Sequence, residues 1–208
     1  MIKQNENKIS IRLKGIPIQY ANALRRVCLN GVPIFAIDTV DILKNTSIMP
    51  DEAIGHRLGL IPLKTDSKDI AISNEETDES NSRVTLTLDS EETNVEDNTE
   101  TRTVFSNELK GEDDGVRPIS DKIPIVVLAP GQKIKFQAYA RLGRGTEHAK
   151  WNSATTSVLT ETKNKDEHIL TVESTGSLDA KSIVLIGMDE LSNRLVKFKE
   201  MLYDLKTK

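Results

Sequence analysis

The chain has 208 residues, a formal net charge of −4, 37% hydrophobic residues and only 4% aromatics. That length suits one large domain or two small ones, and so lean an apolar content implies that part of the core is completed by a partner. The composition argues against a membrane span, a secretory leader ("MIKQNENKIS" has no apolar h-region), a disulfide (Cys28 is the sole cysteine) and a zinc site, since His56, His148 and His168 have no ligand spacing. A cytoplasmic protein is expected.

In chain order, "KISIRLK" alternates, with Ile9, Ile11 and Leu13 on one face and Ser10, Arg12 and Lys14 on the other, which predicts a strand with one wet face. Gly15 and Pro17 break it. "YANALRRVCLNGVP" then reads as a short helix ended by Gly31 and Pro33. On a wheel of about 100° per residue, Tyr20, Ala21, Val27 and Cys28 lie within about 60° of Leu24 and form the predicted inward face. Arg25 lies about 100° away and Arg26 about 200° away, so Asn22, Arg25, Arg26 and Leu29 make up the outward face. Solvent and a protein partner both suit that face. An amide, two planar guanidinium forks and an exposed aliphatic residue are also what an interface centre uses.

"IFAIDTVDIL" is rich in β-branched residues and predicts a second strand. "NTS", at Asn45 to Ser47, matches a glycosylation acceptor but reads as a turn. Pro50 with Asp51 and Glu52 opens a helix that carries Ile54 and Leu58 and stops at Gly59. From Asp66 to Asp121 there are 17 acidic and 5 basic residues, so an acidic middle interrupts a frame whose net charge is +8. A solvated, partly disordered insertion or a specific acid-binding surface would account for it. Little is periodic between Lys64 and Asn81. "RVTLTLD" predicts a strand, and Ser90 to Thr101 a polar loop. "KIPIVVLAPGQKIKFQAYARLG" holds two strands around Pro130-Gly131, which predicts a hairpin. "GRGTEHAKWNS" reads as a loop and "HILTVEST" as a strand.

The remainder is helical, with Ser177 or Asp179 able to cap its start. Val184, Met188, Leu191, Leu195, Phe198, Leu202 and Leu205 are spaced 4, 3, 4, 3, 4, 3, a heptad seam. It suits packing on the protein's own sheet or against a helix of another chain, and its place at the chain end favours the latter. Glu190 precedes Arg194 by one turn, a favourable pairing. Gly187 weakens the helix by about 1 kcal/mol and permits a close approach.

The block from Ala21 to Leu63, "ANALRRVCLNGVPIFAIDTVDILKNTSIMPDEAIGHRLGLIPL", resembles the RNA polymerase assembly subunit family. That family comprises the archaeal D subunit, the third-largest subunit of eukaryotic polymerase II and, more distantly, the bacterial alpha subunit. "GRGTEHAKW" and "ESTGSL" followed by an amphipathic helix are similar to the same family in order and spacing. The resemblance implies an α+β fold with a discontinuous mixed sheet-and-helix dimerisation domain, residues 1–45 plus 166–208, and an inserted mainly-β domain, 46–165. It implies a non-catalytic assembly platform that pairs with the small L subunit of RNA polymerase and docks the two largest subunits and other polymerase subunits, touching DNA only through the complex and no membrane. The seam from Val184 to Leu205 would be the dimerisation surface. Asn22, Arg25, Arg26, Leu29, Arg144, His148, Lys150 and Trp151 would be the large-subunit contacts. The nucleotidyltransferase chemistry would belong to the complex, with no catalytic residue on this chain. The cysteines that bind iron–sulfur clusters or zinc in relatives have no counterpart here, so neither the iron–sulfur domain nor any metal or cofactor is expected. The alternative is a free-standing phosphate-binding protein or enzyme built on residues 144–150, where Arg144 could hold phosphate and Glu147 with His148 could move protons.

Overall fold

A computed structural model of the chain describes residues 3–5, 7–66, 70, 83–90, 101–112, 115–164 and 166–206. Its elements are mixed α+β and divide into two compact units, residues 1–33 with 144–208 and residues 34–143.

The first unit is built on an antiparallel sheet of β1 (Lys3–Asn5), β2 (Lys8–Lys14), β9 (Ala154–Glu161) and β10 (Glu167–Ser174), in the order β1-β2-β10-β9. Opposite Ile9, Ile11 and Leu13 stand Val172, Leu170 and His168 of β10. This apolar face is completed by helix α1 (Ile18–Asn30) and by the start of helix α3 (Ala180–Lys206). The other face is a ladder of polar pairs, with Lys8 Nζ 3.3 Å from Glu173 and Ser10 Oγ 3.0 Å from Thr171 Oγ1. That is the wet face expected of β2.

Two serines bring α1 close to its sheet. Ser157 Oγ donates to the Arg25 carbonyl at 2.8 Å and Ser153 Oγ donates to the Cys28 carbonyl at 3.0 Å. Both serines are buried. Across from them α1 meets α3 where Gly187 faces Cys28, and a Cβ on Gly187 would lie 3.2 Å from the Cys28 sulfur. The close approach expected of Gly187 is therefore made to α1. Asp179 caps α3, its Oδ1 accepting the Lys181 and Ser182 N–H groups at 3.0 Å each. Ser177 is buried instead.

The second unit holds β3 (Ile34–Asn45), α2 (Asp51–Gly59), β4 (Val84–Asp89), β5 (Arg102–Phe105), β6 (Lys110–Gly111), β7 (Pro124–Leu128) and β8 (Ile134–Gly143). One antiparallel sheet runs β3-β8-β4-β6 and a two-stranded one joins β5 to β7. Ile54 and Leu58 of α2 enter a core with Ile37, Leu86, Leu88, Val104, Ile125, Ile134 and Phe136. Asn45 forms the expected turn: its Oδ1 accepts the Ser47 N–H at 2.9 Å, and its Nδ2 donates to the Met49 carbonyl at 2.9 Å.

Three expectations change. β7 and β8 flank Pro130-Gly131, where Gly131 takes a φ of 77°, but they do not pair with each other. β8 spends both edges on β3 and β4, so β7 is left to β5. The acidic segment 66–121 is not wholly a solvated insertion, because Leu86, Leu88, Val104, Leu109 and Val116 are core residues. Most of 64–81 and of the expected loop 90–101 lies outside the described residues. Finally, the chain crosses between units at 33/34 and 143/144 rather than at 45/46 and 165/166. All of β3 is needed to pair with β8, and all of β9 with β10. The local sequence pattern does not announce β9, nor β1, β5 and β6.

Candidate functional site

The outward face of α1 is where the two arginines part company. Arg25 is half-buried: its Nε donates to Asn22 Oδ1 at 3.2 Å and its Nη1 to the Ser157 carbonyl at 3.4 Å. One guanidinium thus braces the helix against β9 and keeps only part of its fork for another molecule. Arg26 is exposed and has no hydrogen-bond or ion-pair partner among the described residues. Asn22 and Leu29 are half-buried on either side. The helical wheel therefore separates the two residues correctly, but it misplaces Tyr20, which is 57% exposed. Tyr20 belongs to the first turn of α1, where neighbouring Ile16 and Ile18 are exposed as well.

The loop 144–151 is a structural clasp. Arg144 Nη2 lies 2.6 Å from Glu190 Oε1 of α3, and its Nε donates to the Gly31 carbonyl at 3.1 Å. Helix α1 has no basic residue in its own last turn. Arg144 supplies a cation to that negative end and neutralises a buried carboxylate with the same group. Glu190 also keeps its expected partner Arg194, at 3.8 Å, but the closer ion pair is with Arg144. The clasp is tight: a Cβ on Gly145 would meet Asn152 Oδ1 at 2.0 Å and the Asn30 Cβ at 2.8 Å. The Arg144 N–H donates to Glu147 Oε1 at 2.9 Å, and His148 Nδ1 accepts the Lys150 N–H at 3.1 Å.

Two of the sequence-predicted contact residues are tied into the chain's own unit. Trp151 is 3% exposed, a core side chain with the Lys150 ammonium 4.2 Å from its ring centroid. Arg144 is held by α1 and α3, which removes the residue on which phosphate binding at 144–150 depended. His148 is exposed and Lys150 half-buried. The residues that sequence reasoning misses are Ser153, Ser157 and, in its role towards Arg144, Glu190. Two small serines four residues apart, one just before β9 and one within it, are the available signal.

Helix α3 divides midway. Ile183, Val184 (4% exposed), Gly187 and Glu190 are buried within their own unit. Val184 is thus a core residue and not part of a free seam, because Gly187 draws this end of the helix against α1. Beyond Glu190 no described residue of α3 is buried. Leu191 is half-buried, and Met188, Leu195, Phe198, Leu202 and Leu205 are exposed, Leu205 to 72%. Leu185, Val196, Met201 and Tyr203 add further exposed apolar surface. A helix of 27 residues extends about 40 Å, and its second half carries an apolar seam that its own unit does not cover. No helix among the described residues is long and apolar enough to cross a membrane.

Residues 36–160 match the family described as the RNA polymerase Rpb3/RpoA insert domain. DNA-directed RNA polymerase subunit Rpo3 of Pyrococcus horikoshii is 42% identical over 151 residues, covering 73% of this chain and 54% of that protein. Rpo3 of Methanosphaera stadtmanae is 38% identical over 157 residues, 74% of this chain and 57% of that protein. Rpo3 of Aeropyrum pernix is 35% identical over 165 residues, with shares of 76% and 57%. The chain spans about half the length of the curated relatives it matches. A family match across more than half of the sequence, together with these relatives, makes this chain a member of the RNA polymerase Rpb3/RpoA family, on the branch of the archaeal D subunits.

Proposed function

We propose that the chain is a non-catalytic assembly-platform subunit of an archaeal DNA-directed RNA polymerase. It pairs with the small L subunit through the second half of α3 and docks the two largest subunits through Arg26 and its neighbours on α1. Other polymerase subunits join the same platform, and DNA is reached only through the complex. The nucleotidyltransferase chemistry belongs to that complex, which works in the cytoplasm. The chain itself contributes no metal or cofactor.

The observation that carries this reading is the uncovered seam of α3, half-buried Leu191 with exposed Met188, Leu195, Phe198, Leu202 and Leu205. Leaving such side chains in water forfeits about 1.5–3 kcal/mol each that burial would return. A heptad spacing is what a partner helix would bury. Family membership supplies the kind of partner.

The test is co-expression with the candidate small subunit. Leu195→Asp and Phe198→Asp should each abolish co-purification and leave the unit's own fold intact, because both side chains are exposed. A normal heterodimer from the double variant would refute the seam as the mating surface.

A further inference from the structure

At one end of the first unit's sheet, the β2–α1 turn and the β9–β10 turn enclose a cleft of about 560 Å³ lined by Gly15 to Ile18 and by residues of the segment Glu161 to His168. The Gly15 N–H donates to the Asp166 carbonyl at 3.0 Å, with Gly15 at a φ of 69°, so the two turns are tied together. The volume falls within the range of preformed ligand sites.

The polar groups in this cleft are unbalanced. His168 is 8% exposed and lines it, and its buried Nδ1 has no hydrogen-bond partner among the described residues. The register puts Glu161 directly opposite His168 on the same face of the sheet. Neither the Glu161 nor the Asp166 carboxylate has a cation partner among the described residues. Glu167 is already answered by Arg12 at 3.6 Å and Lys14 at 3.8 Å. Among the described residues, no Lys or Arg lines the cleft. Two open carboxylates ask for donors, which is the chemistry of an ammonium or guanidinium group, and the unpaired His168 Nδ1 accepts a further donor when the ring proton sits on Nε2.

Two further features narrow the source of that cation. Ile16 and Ile18 line the cleft and are each 38% exposed, so an apolar neighbour is accommodated beside the charge. Ile18 also opens α1, whose N-cap residue Pro17 provides no side-chain acceptor for the first helical N–H groups. The Pro17 carbonyl accepts the Tyr20 N–H at 3.0 Å, and the Ile18 N–H suits a peptide carbonyl. An arginine or lysine within an extended chain offers cation, carbonyl and apolar neighbour together, whereas a polyamine offers only donors.

We propose that this cleft seats a basic side chain of an extended peptide segment from another protein. The proposal concerns residues outside the α1 arginine face and the α3 seam, and does not depend on the heterodimer.

The probe is the capped peptide acetyl-Leu-Arg-Leu-amide, titrated into the full chain while the ring resonances of His56, His148 and His168 are followed by NMR. A saturable shift confined to His168 is expected. The peptide with citrulline in place of arginine, which is neutral and of the same shape, should bind about tenfold more weakly. The Glu161→Gln/Asp166→Asn double variant should lose a similar factor with an unchanged thermal midpoint, since both side chains are exposed. Absence of a shift at millimolar peptide, or equal binding of the citrulline peptide, overturns the proposal. So does spermidine binding at His168 more tightly than the peptide, which would make the cleft a small-polyamine site.

Discussion

The guanidinium of Arg144 and the carboxylate of Glu190 lie 2.6 Å apart, and the same guanidinium reaches the carbonyl of Gly31 at the end of α1. One side chain thus joins the loop, the end of the arginine helix and the middle of the long terminal helix. Two helices, one at its end and the other near its middle, are fixed by a residue belonging to neither.

Removing that guanidinium leaves Glu190 buried with only Arg194, at 3.8 Å. Arg144→Ala should therefore cost about 1.5–3 kcal/mol in urea unfolding, the range for a charged hydrogen bond. Arg144→Met with Glu190→Leu should cost less than Arg144→Ala alone, because no unpaired carboxylate remains. A double variant weaker than the single one would show that the pair is stabilising beyond mutual neutralisation.

The two arginines of α1 should separate experimentally. Arg25→Ala removes bonds to Asn22 and to the Ser157 carbonyl and is expected to lower stability by about 1 kcal/mol. Arg26→Ala should stay within about 0.5 kcal/mol of the parent, as exposed substitutions do. In reconstitution, Arg26→Ala should weaken capture of the large subunits and leave the heterodimer intact. Equal losses of stability in the two variants would contradict this division.

Gly187 and Cys28 form a coupled pair. Alanine at 187 gains about 1 kcal/mol of helix propensity, but its Cβ would press on the Cys28 sulfur at 3.2 Å. Cys28 is fully buried and has no room to yield. Gly187→Ala should thus be neutral or destabilising in the parent and stabilising in the Cys28→Ala background. Identical effects in both backgrounds would mean that the helices adjust freely.

The Cys28 thiol also titrates abnormally. Burial away from water pushes it from 9.0 up to about 12, against the smaller lowering effect of a backbone hydrogen bond. As pH rises from 9.0 towards 12, the unfolded thiol ionises while the folded one keeps its proton, so the folded state loses stability. The alkaline slope of the unfolding free energy should be shallower in Cys28→Ala than in the parent. Parallel slopes would rule the thiol out as a contributor. At neutral pH the folded protein should resist maleimide, reacting only when urea is added.

Asp179 has the opposite sign. Burial tends to raise its carboxyl, but hydrogen bonds from the Ser182 side chain and backbone and from the Lys181 N–H, with the charge of Lys181, outweigh it and hold the group below 3.8. Its contribution is present above that value and is lost as pH falls through the lowered folded one. Asp179→Ala should cost about 1 kcal/mol at neutral pH. Asp179→Asn should retain most of the cap and remove its share of the acid dependence, which urea titration between neutral and acid pH would reveal.

What the sequence reveals and what it conceals follow from range. β2, β4 and α3 carry their periodicity within a few residues, so alternation and heptad spacing expose them. The outward turn of Arg26 follows from helix geometry alone. The clasp at Arg144 depends on Gly31 and Glu190, more than 40 residues away on one side and 100 on the other. No local pattern encodes that meeting. Trp151 is expected as a contact through the family resemblance of its loop, yet the loop folds so that its ring enters the core. β7 and β8 resemble a hairpin because Pro-Gly turns the chain, but which strands pair is decided by the edges of β3, β4 and β5. Tyr20 shows the limit of a helical wheel, which gives direction around an axis and not how far along it the neighbouring layer extends.

The register of β3 on β8 sets Ile34 opposite Gly143, the first and last residues of the second unit. Its entrance and exit are therefore adjacent, and the whole unit acts as a short bridge in the contour of the first. Before that bridge forms, β2 must find β10 across roughly 150 residues. Once it exists, the effective loop is roughly 40 residues, which lowers the entropic cost of closure by about 1 kcal/mol. The β3–β8 ladder thus acts as a splice: it lets a protein be interrupted in its middle by another folded body while its two halves behave almost as neighbours in one chain.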